Sequence, residues 1–354
     1  MNILIIGSGA REHAIAAALH RSTHQPRLFC CGTSHNPGIS QMTHQYWVGD
    51  ISDAAAVTVV AKEWQIGLAI IGPEAPLESG VADALWQNAV PTVGPRKMLA
   101  RIETSKSFAR ELMQKYKIPG LPRFRVFDSM TGVSAFLAEL GEGRYVIKAN
   151  GLMGGKGVKV AGDHLASFQE ALQFCEFILT QKQTFIIEEK LIGQEFSFMA
   201  FCDGECLVPM PIVQDHKRAY VDDKGPNTGG MGSYSDANHS LPFLSEDDKQ
   251  AAWKINEAVF SALSQELQEN YVGILYGSFI ATHEGIYVIE FNARFGDPEA
   301  LNVLTILESD FPVICQAMVT GSLTPEMVCF AHQATVCKYA VPQGYPETPV
   351  KNFR

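Results

Sequence analysis

The chain opens on a buried strand, Asn2-Ile3-Leu4-Ile5-Ile6, that runs straight into the turn Gly7-Ser8-Gly9-Ala10-Arg11-Glu12. The segments that follow keep the alternation: a helix from about Glu12 to Leu19, a strand from Arg27 to Cys31, a helix near Asp53 to Trp64 and a strand from Leu68 to Ile71. Strands and helices in strict alternation predict a doubly wound α/β domain with a parallel sheet. Helices near Leu85 and from Ser105 to Lys115 come next, after which Ile118-Pro119-Gly120-Leu121-Pro122 breaks the chain as a linker does. Beyond it the pattern changes to hairpins. Tyr145 to Ala149 and Val158 to Ala161 flank a glycine loop, Phe185 to Glu188 follows a helix, and Phe196 to Phe201 meets Leu207 to Val213. This middle part reads as α+β.

With 354 residues, 46% of them hydrophobic, the chain is long enough for several domains. No apolar run reaches the roughly eighteen residues of a membrane span, and Ile3 to Ile6 lacks the flanks of a signal peptide, which predicts a soluble, cytoplasmic protein. The eight cysteines have no CxxC framework and read as reduced, mostly core thiols. A net charge of -10 repels polyanions and argues against a nucleic-acid partner.

Three segments carry chemistry. In the first, a strand, a glycine turn and a helix leave free backbone N–H groups facing any anion placed there. A dinucleotide site is one reading, but Glu12 stands where the third glycine belongs, and Cys30, Cys31 and Gly32 end the second strand where an acidic residue would hold a ribose. A phosphate of another ligand fits better, and a simple tight turn remains the alternative. The second segment, Asn150-Gly151-Leu152-Met153-Gly154-Gly155-Lys156-Gly157, is a hairpin tip rather than a Walker loop, because a strand follows it and no Ser/Thr is in place. Lys148, within the apolar strand before it, needs a compensating anion if its head is buried; a triphosphate supplies one, and snorkelling to solvent is the alternative. The third is Gly285 to Glu299, where period two puts Glu290 and Asn292 on one face. Two oxygen donors so placed suit Mg²⁺, completed by phosphates and water. Arg294 on that face suits a carboxylate or phosphate clamp, Asp297 before Pro298 reads as an N-cap, and a buried ion pair is the alternative for Glu290.

The glycine hairpin, the lysine before it, Glu188-Glu189-Lys190-Leu191 seven residues ahead of Glu195, and the late Glu-x-Asn strand together resemble the ATP-grasp fold. Further blocks narrow the match: Gly7-x-Gly9-x-Arg11-Glu12-His13-Ala14, Gly72-Pro73-Glu74-Ala75-Pro76-Leu77, Gln214-Asp215-His216-Lys217-Arg218, Gly225 to Gly232 and Glu290 to Glu299. In this order, over nearly the whole chain, they are similar to the phosphoribosylamine–glycine ligase family of purine biosynthesis. The resemblance implies that ATP, with Mg²⁺ or Mn²⁺, drives the union of glycine with 5-phosphoribosylamine through a glycyl phosphate. It implies a Rossmann-like domain over 1–103, an ATP-grasp small subdomain over 104–190, a large subdomain over 191–328, and an incomplete C-terminal domain from 329 to 354.

By the same resemblance, Lys148 and the loop with Gly151, Gly154, Gly155, Lys156 and Gly157 hold phosphates. Glu188, Glu189, Lys190 and Leu191 border the adenine, and Glu195 takes the ribose hydroxyls. Gly9, Ala10, Arg11 and Glu12, with Asn36, Pro37, Gly38, Glu74, Ala75 and Pro76, face the phosphoribosyl group. Asp215, Lys217, Asn227, Thr228 and Arg294 surround glycine, and Glu290 and Asn292 hold the metal. Two features depart from the family: Ser8-Gly9-Ala10 stands where Asn-Gly-Gly is usual, and the sequence stops at Arg354 where members continue. Two rivals follow, a nucleotide-binding homologue without full turnover and an NAD(P)-dependent oxidoreductase. Whether the chain is a monomer or a weak dimer stays open.

Overall fold

A computed structural model describes residues 1–151, 157–221 and 224–350. Strands β1 (Asn2–Ile6), β2 (Arg27–Gly32), β3 (Gln45–Val48), β4 (Leu68–Ile71) and β5 (Thr92–Val93) form a parallel sheet in the order β3-β2-β1-β4-β5. Around it run α1 (Ala10–His20), α2 (Pro37–Met42), α3 (Ala54–Glu63), α4 (Glu74–Ser79), α5 (Val81–Gln87) and α6 (Lys97–Thr104). Central β1 is paired on both edges. Ile3 and Ile5 enter one hydrophobic core, Leu4 and Ile6 another, as period two requires of a strand covered on both faces.

Helix α7 (Lys106–Lys115) leads into Ile118–Pro122, which the sequence reads as a linker. The linker is packed rather than free. Ile118 is buried, the Gly120 carbonyl accepts the Val288 N–H at 2.8 Å, and a Cβ at Gly120 (φ +74°) would lie 2.8 Å from the Ile286 carbonyl oxygen. Only glycine passes so close in that conformation.

A small lobe follows: β6 (Phe124–Phe127), α8 (Val133–Leu140), β7 (Tyr145–Ala149), β8 (Val158–Val160), α9 (Phe168–Thr180) and β9 (Phe185–Glu189). Its antiparallel sheet, ordered β6-β9-β7-β8, and its two helices enclose a core of their own that includes Phe127, Phe136, Tyr145, Phe174 and Phe185. The remainder comprises β10 (Gln194–Asp203), β11 (Leu207–Pro209), β12 (Gln214–Tyr220), β13 (Lys224–Ser235), α10 (Glu246–Leu267), β14 (Val272–Thr282), β15 (Gly285–Asn292), α11 (Glu299–Thr305), α12 (Phe311–Thr320) and β16 (Thr335–Lys338). The strands make two sheets, β11-β10-β14-β15 and β12-β13-β16. The hairpin expected to run to Val213 ends at Pro209, and Val213 forms a separate bridge with Ser197.

The β10–β14–β15 layer does not form a separate core. Phe196, Leu275 and Val288 pack with Leu4 and Ile6, and Phe201, Phe295 and Phe311 pack with Ile3, Ile5 and Ile15. The first sheet and this layer are one body. Asp297 is not a helix cap: α11 starts at Glu299 with Pro298 at the cap position, and Asp297 accepts a hydrogen bond from the Tyr339 hydroxyl. All eight cysteines are unpaired, five of them buried. Among the described residues no helix is long and apolar enough to cross a membrane.

Candidate active site

The Glu290 strand faces the small lobe. In β15 the pairing with β14 slips between Val288 and Glu290, so Ile289 is bulged; beyond it Glu290 lies opposite Ser278 and Asn292 opposite Tyr276. A bulge frees a main-chain carbonyl from the ladder. That of Ile289 accepts from Arg110 Nη2 at 2.7 Å and from Lys148 Nζ at 2.9 Å. Because the slip precedes Glu290, the expected common face of Glu290 and Asn292 survives.

Glu290 is half-buried and, among the described residues, forms no ion pair or hydrogen bond. Burial acts to raise its carboxyl, but Lys217, Lys106, Lys148 and Arg294 together bring it below its usual value. The buried ion pair that competed for Glu290 is absent among the described residues. Asn292 Oδ1 accepts only a long contact, 3.4 Å, from Arg294 Nη2. An ionised carboxylate and an amide oxygen, both short of partners and on one face, fit a hard divalent cation whose remaining ligands come from elsewhere. No cluster of three or more His, Cys, Asp or Glu side chains able to hold a metal exists among the described residues.

Lys148 does not snorkel. It is 6% exposed, and Nζ lies 2.7 Å from Glu188 Oε2. Glu188 is itself buried and forked by Arg110, with Nε at 2.6 Å from Oε1 and Nη2 at 3.1 Å from Oε2. Against the effect of burial, Arg110 and Lys148 hold Glu188 down at about 2. Burial works to lower the Lys148 ammonium, and Glu188 is the chief group opposing it. The Glu188 carboxylate is therefore committed within the protein and does not reach a ligand surface. Its neighbours are placed otherwise: Glu189 accepts the Arg123 N–H at 2.7 Å, Lys190 Nζ donates to the Ala161 carbonyl at 2.8 Å, and Leu191 is half-buried. Lys106, outside every motif, donates to the Gly151 carbonyl at 3.2 Å, and the Gly157 carbonyl accepts the Ala149 N–H at 2.8 Å. Gly154, Gly155 and Lys156 lie outside the described residues.

Across the cleft, Lys217 stands 3.7 Å from Asp215 and 4.0 Å from exposed Glu195. Asp215, ahead of Glu290 and Glu195, raises the Lys217 ammonium above its ordinary value. The Thr228 hydroxyl is turned inward, donating to the Lys217 carbonyl at 2.8 Å and accepting the Gly230 N–H at 3.1 Å. Asn227 is placed by its main chain, opposite Arg218 in the β12–β13 hairpin. Burial and Asp215 push Glu299 up to about 7, and it accepts the Tyr276 hydroxyl at 2.7 Å. Arg294 is clamped by two protein carboxylates, Glu103 at 3.0 Å and Glu74 at 3.6 Å; its buried Nε has no hydrogen-bond partner among the described residues. Glu103 also accepts the Ala293 N–H at 2.7 Å.

The first glycine turn meets this group. The Gly9 N–H donates to Glu12 Oε2 at 2.6 Å, and Arg11 bonds Glu12 at 2.6 Å and the Phe295 carbonyl at 3.3 Å. Glu12, expected at a ligand, is instead a buried brace: a Cβ at Gly72 would lie 2.0 Å from its Oε1. The carboxylate fills the space between two turns where a dinucleotide would need to approach. Asn36 caps α2, accepting from Gly38 and Ile39 at 3.0 and 3.3 Å, and its Nδ2 reaches the Ser8 carbonyl at 3.0 Å. Pro37 and Ala75 are exposed, Ala10 and Gly38 half-buried, and Pro76 buried. Arg110, Glu103 and Lys106 are the site residues the motifs missed. The available signal was a charge set into an apolar helix face, as Glu103 beside Ile102 and Arg110 one turn before Met113.

A lysine-bearing antiparallel lobe opposite a strand that ends in a carboxylate and an amide, behind a parallel N-terminal sheet, is the architecture of an ATP-grasp ligase. The family model for the phosphoribosylglycinamide synthetase ATP-grasp (A) domain matches residues 104–300, and that for the N domain of the same synthetase matches residues 1–103. Phosphoribosylamine–glycine ligases of Methanosarcina barkeri and Methanocella arvoryzae are 49% and 47% identical over 352 residues, covering 99% of this chain and 81% of each relative. The crystal structure of the Thermotoga maritima phosphoribosylamine–glycine ligase superposes with a TM-score of 0.80 at 27% identity, covering 99% of this chain and 83% of that one. The chain belongs to the phosphoribosylamine–glycine ligase family.

Proposed function

We propose that this cleft joins glycine to 5-phosphoribosylamine using ATP, with glycinamide ribonucleotide, ADP and phosphate as products. The observation that carries the proposal is Glu290: ionised, facing four cations and paired with none of them among the described residues. Such a carboxylate beside Asn292 is set to hold Mg²⁺ (or Mn²⁺), which would neutralise charge on the terminal phosphates when bound.

Lys148, Lys106 and the main chain at Gly151 and Gly157 hold the phosphates; a polyphosphate supplies the anion that favours the buried Lys148 charge. The main chain from Glu189 to Leu191 borders the adenine, with Glu188 acting through Lys148, and Glu195 takes the ribose hydroxyls. Gly9, Ala10, Asn36, Gly38, Glu74 and Ala75 line the phosphoribosyl side, and Arg11 and Glu12 keep that wall in place. Glycine lies among Asp215, Lys217, Asn227, Thr228 and Arg294, whose guanidinium suits a carboxylate. The glycine carboxylate oxygen attacks the γ-phosphorus and the bond to ADP breaks. The amine of phosphoribosylamine then attacks the carbonyl of the glycyl phosphate, and phosphate leaves. Electrostatic stabilisation accounts for both steps, without a nucleophilic side chain. We read 1–103, 104–190 and 191–328 as the functional units of this reaction, carried out in the cytoplasm.

The test is ADP release by this chain. It is expected only when glycine and phosphoribosylamine are both present; a folded sample that releases none is a nucleotide-binding homologue instead. Glu290→Gln is expected to weaken Mg²⁺–ATP binding by on the order of 10–100-fold in calorimetry. Unchanged binding would leave Glu290 a structural residue.

A further inference from the structure

Arg110 belongs to none of the sequence motifs and meets the cleft only through other residues. It stands on α7, in the main body, with its guanidinium 3% exposed. Two of its acceptors, Glu188 Oε2 and the Ile289 carbonyl, are also the acceptors of Lys148 Nζ. A third, the Val288 carbonyl, accepts Nη2 at 3.1 Å. The cluster joins the small lobe, through Lys148 on β7 and Glu188 on β9, to the metal strand β15.

The charge count is what sets this cluster apart from a plain ion pair. One lysine with one glutamate would be neutral and would offer a polyanion little. Two cations on one carboxylate leave the buried group with a net positive charge beside Glu290. An ammonium has three N–H donors; two of those on Lys148 are committed to Glu188 and Ile289, and one is left over. The guanidinium fork suits a carboxylate at both oxygens, whereas a lysine head is a point charge.

We propose that Arg110 is a positioning residue for the phosphate-binding lysine: by sharing Glu188 it leaves the Lys148 charge only partly offset by that carboxylate, and through the Ile289 carbonyl it fixes that lysine beside the metal strand. This rests on the reading of the cleft as an ATP site.

The test compares the full chain with Arg110→Gln, Arg110→Lys and the double variant Arg110→Gln/Glu188→Gln, using calorimetry with ATP and Mg²⁺ and steady-state KM values. Arg110→Gln leaves Glu188 to neutralise Lys148, and ATP binding is expected to weaken by on the order of tenfold, the worth of one charge-assisted hydrogen bond. The KM for glycine is expected to stay within about threefold, the spread of uncoupled sites. Arg110→Lys is expected to fall between wild type and Arg110→Gln. Removing the Glu188 carboxylate as well is expected to restore binding to within about threefold of wild type. A merely structural staple predicts the reverse, with the double variant weakest. If Arg110→Gln does not fold, the double variant, which buries no orphaned carboxylate, decides alone. Near-wild-type binding supports the proposal, and a loss of tenfold or more overturns it. A wild-type chain that binds no Mg²⁺–ATP overturns the reading of the cleft and this proposal together. A wild type that binds it, with no rescue in the double variant, overturns this proposal only.

Discussion

The small lobe and the main body hold themselves together in the same way but are joined to each other in a different one. Each has an apolar core: Phe127, Phe136, Tyr145 and Phe185 in the lobe, and in the body two cores that run from β1 into β10 and β14, one of them on into β15. Between lobe and body the described bonds are directional: Arg110 with Glu188, Lys148 with the Ile289 carbonyl, and Asn150 with Ser107. Shared cores resist separation in proportion to their area, whereas a buried charge cluster resists it only while each charge keeps its partner. Glu290, Asn292 and the first glycine turn therefore stand on one base. Lys148 stands on a unit with a core of its own, tied to that base by the buried charge cluster.

Core truncations give the strongest test of this contrast. Phe295 is 1% exposed and packs on Phe201 and Phe311; Phe295→Ala is expected to cost about 3–5 kcal/mol. Because its core is continuous, the loss should appear in hydrogen exchange of β1 and β14 alike. Phe185, fully buried and stacked on Phe127, is expected to cost a similar ~3–5 kcal/mol on truncation to alanine. Here the faster exchange should be confined to β6 through β9; spread into β1 would mean that lobe and body unfold as one unit.

At the connection, Gly120→Ala forces a left-handed backbone onto a residue with a Cβ and a contact at 2.8 Å. An expected cost of ~1–2 kcal/mol in denaturant melts follows from the backbone alone. A neutral result would restore the free-linker view. The joint itself is probed by pH. Glu188 is held near 2 against an ordinary value of 4.5, so its contribution is fully present above pH 4.5 and is lost as pH falls through about 2. The stability gap between wild type and Glu188→Gln should narrow over that window in calorimetric melts. A gap that stays constant with pH would mean Glu188 is not ionised in the joint.

Much of the base was legible in the sequence. β1 announces its place because four apolar residues in succession demand cover on both faces, and Glu290 and Asn292 share a face because the bulge falls before them. Asp-Pro is an ordinary cap signal, and only the packed fold brings the Tyr339 hydroxyl to the Asp297 carboxylate. Ile118–Pro122 has a linker's composition, yet β15 pins it at Gly120.

What the sequence determined by itself was periodic or contiguous: the alternation of strand and helix, the glycine turns, the common face of Glu290 and Asn292 and the family blocks. What only the tertiary structure decided was which charge answers which. Arg110 meets Glu188 from 78 residues away, and Glu103 meets the Ala293 N–H from 190. Pairing of buried charges depends on distance through space and on the removal of water around them. Neither is set until the lobe and the body have packed, so Lys148 could be seen in the sequence to need an anion but not to have Glu188, and Glu188 could not be seen to have Arg110.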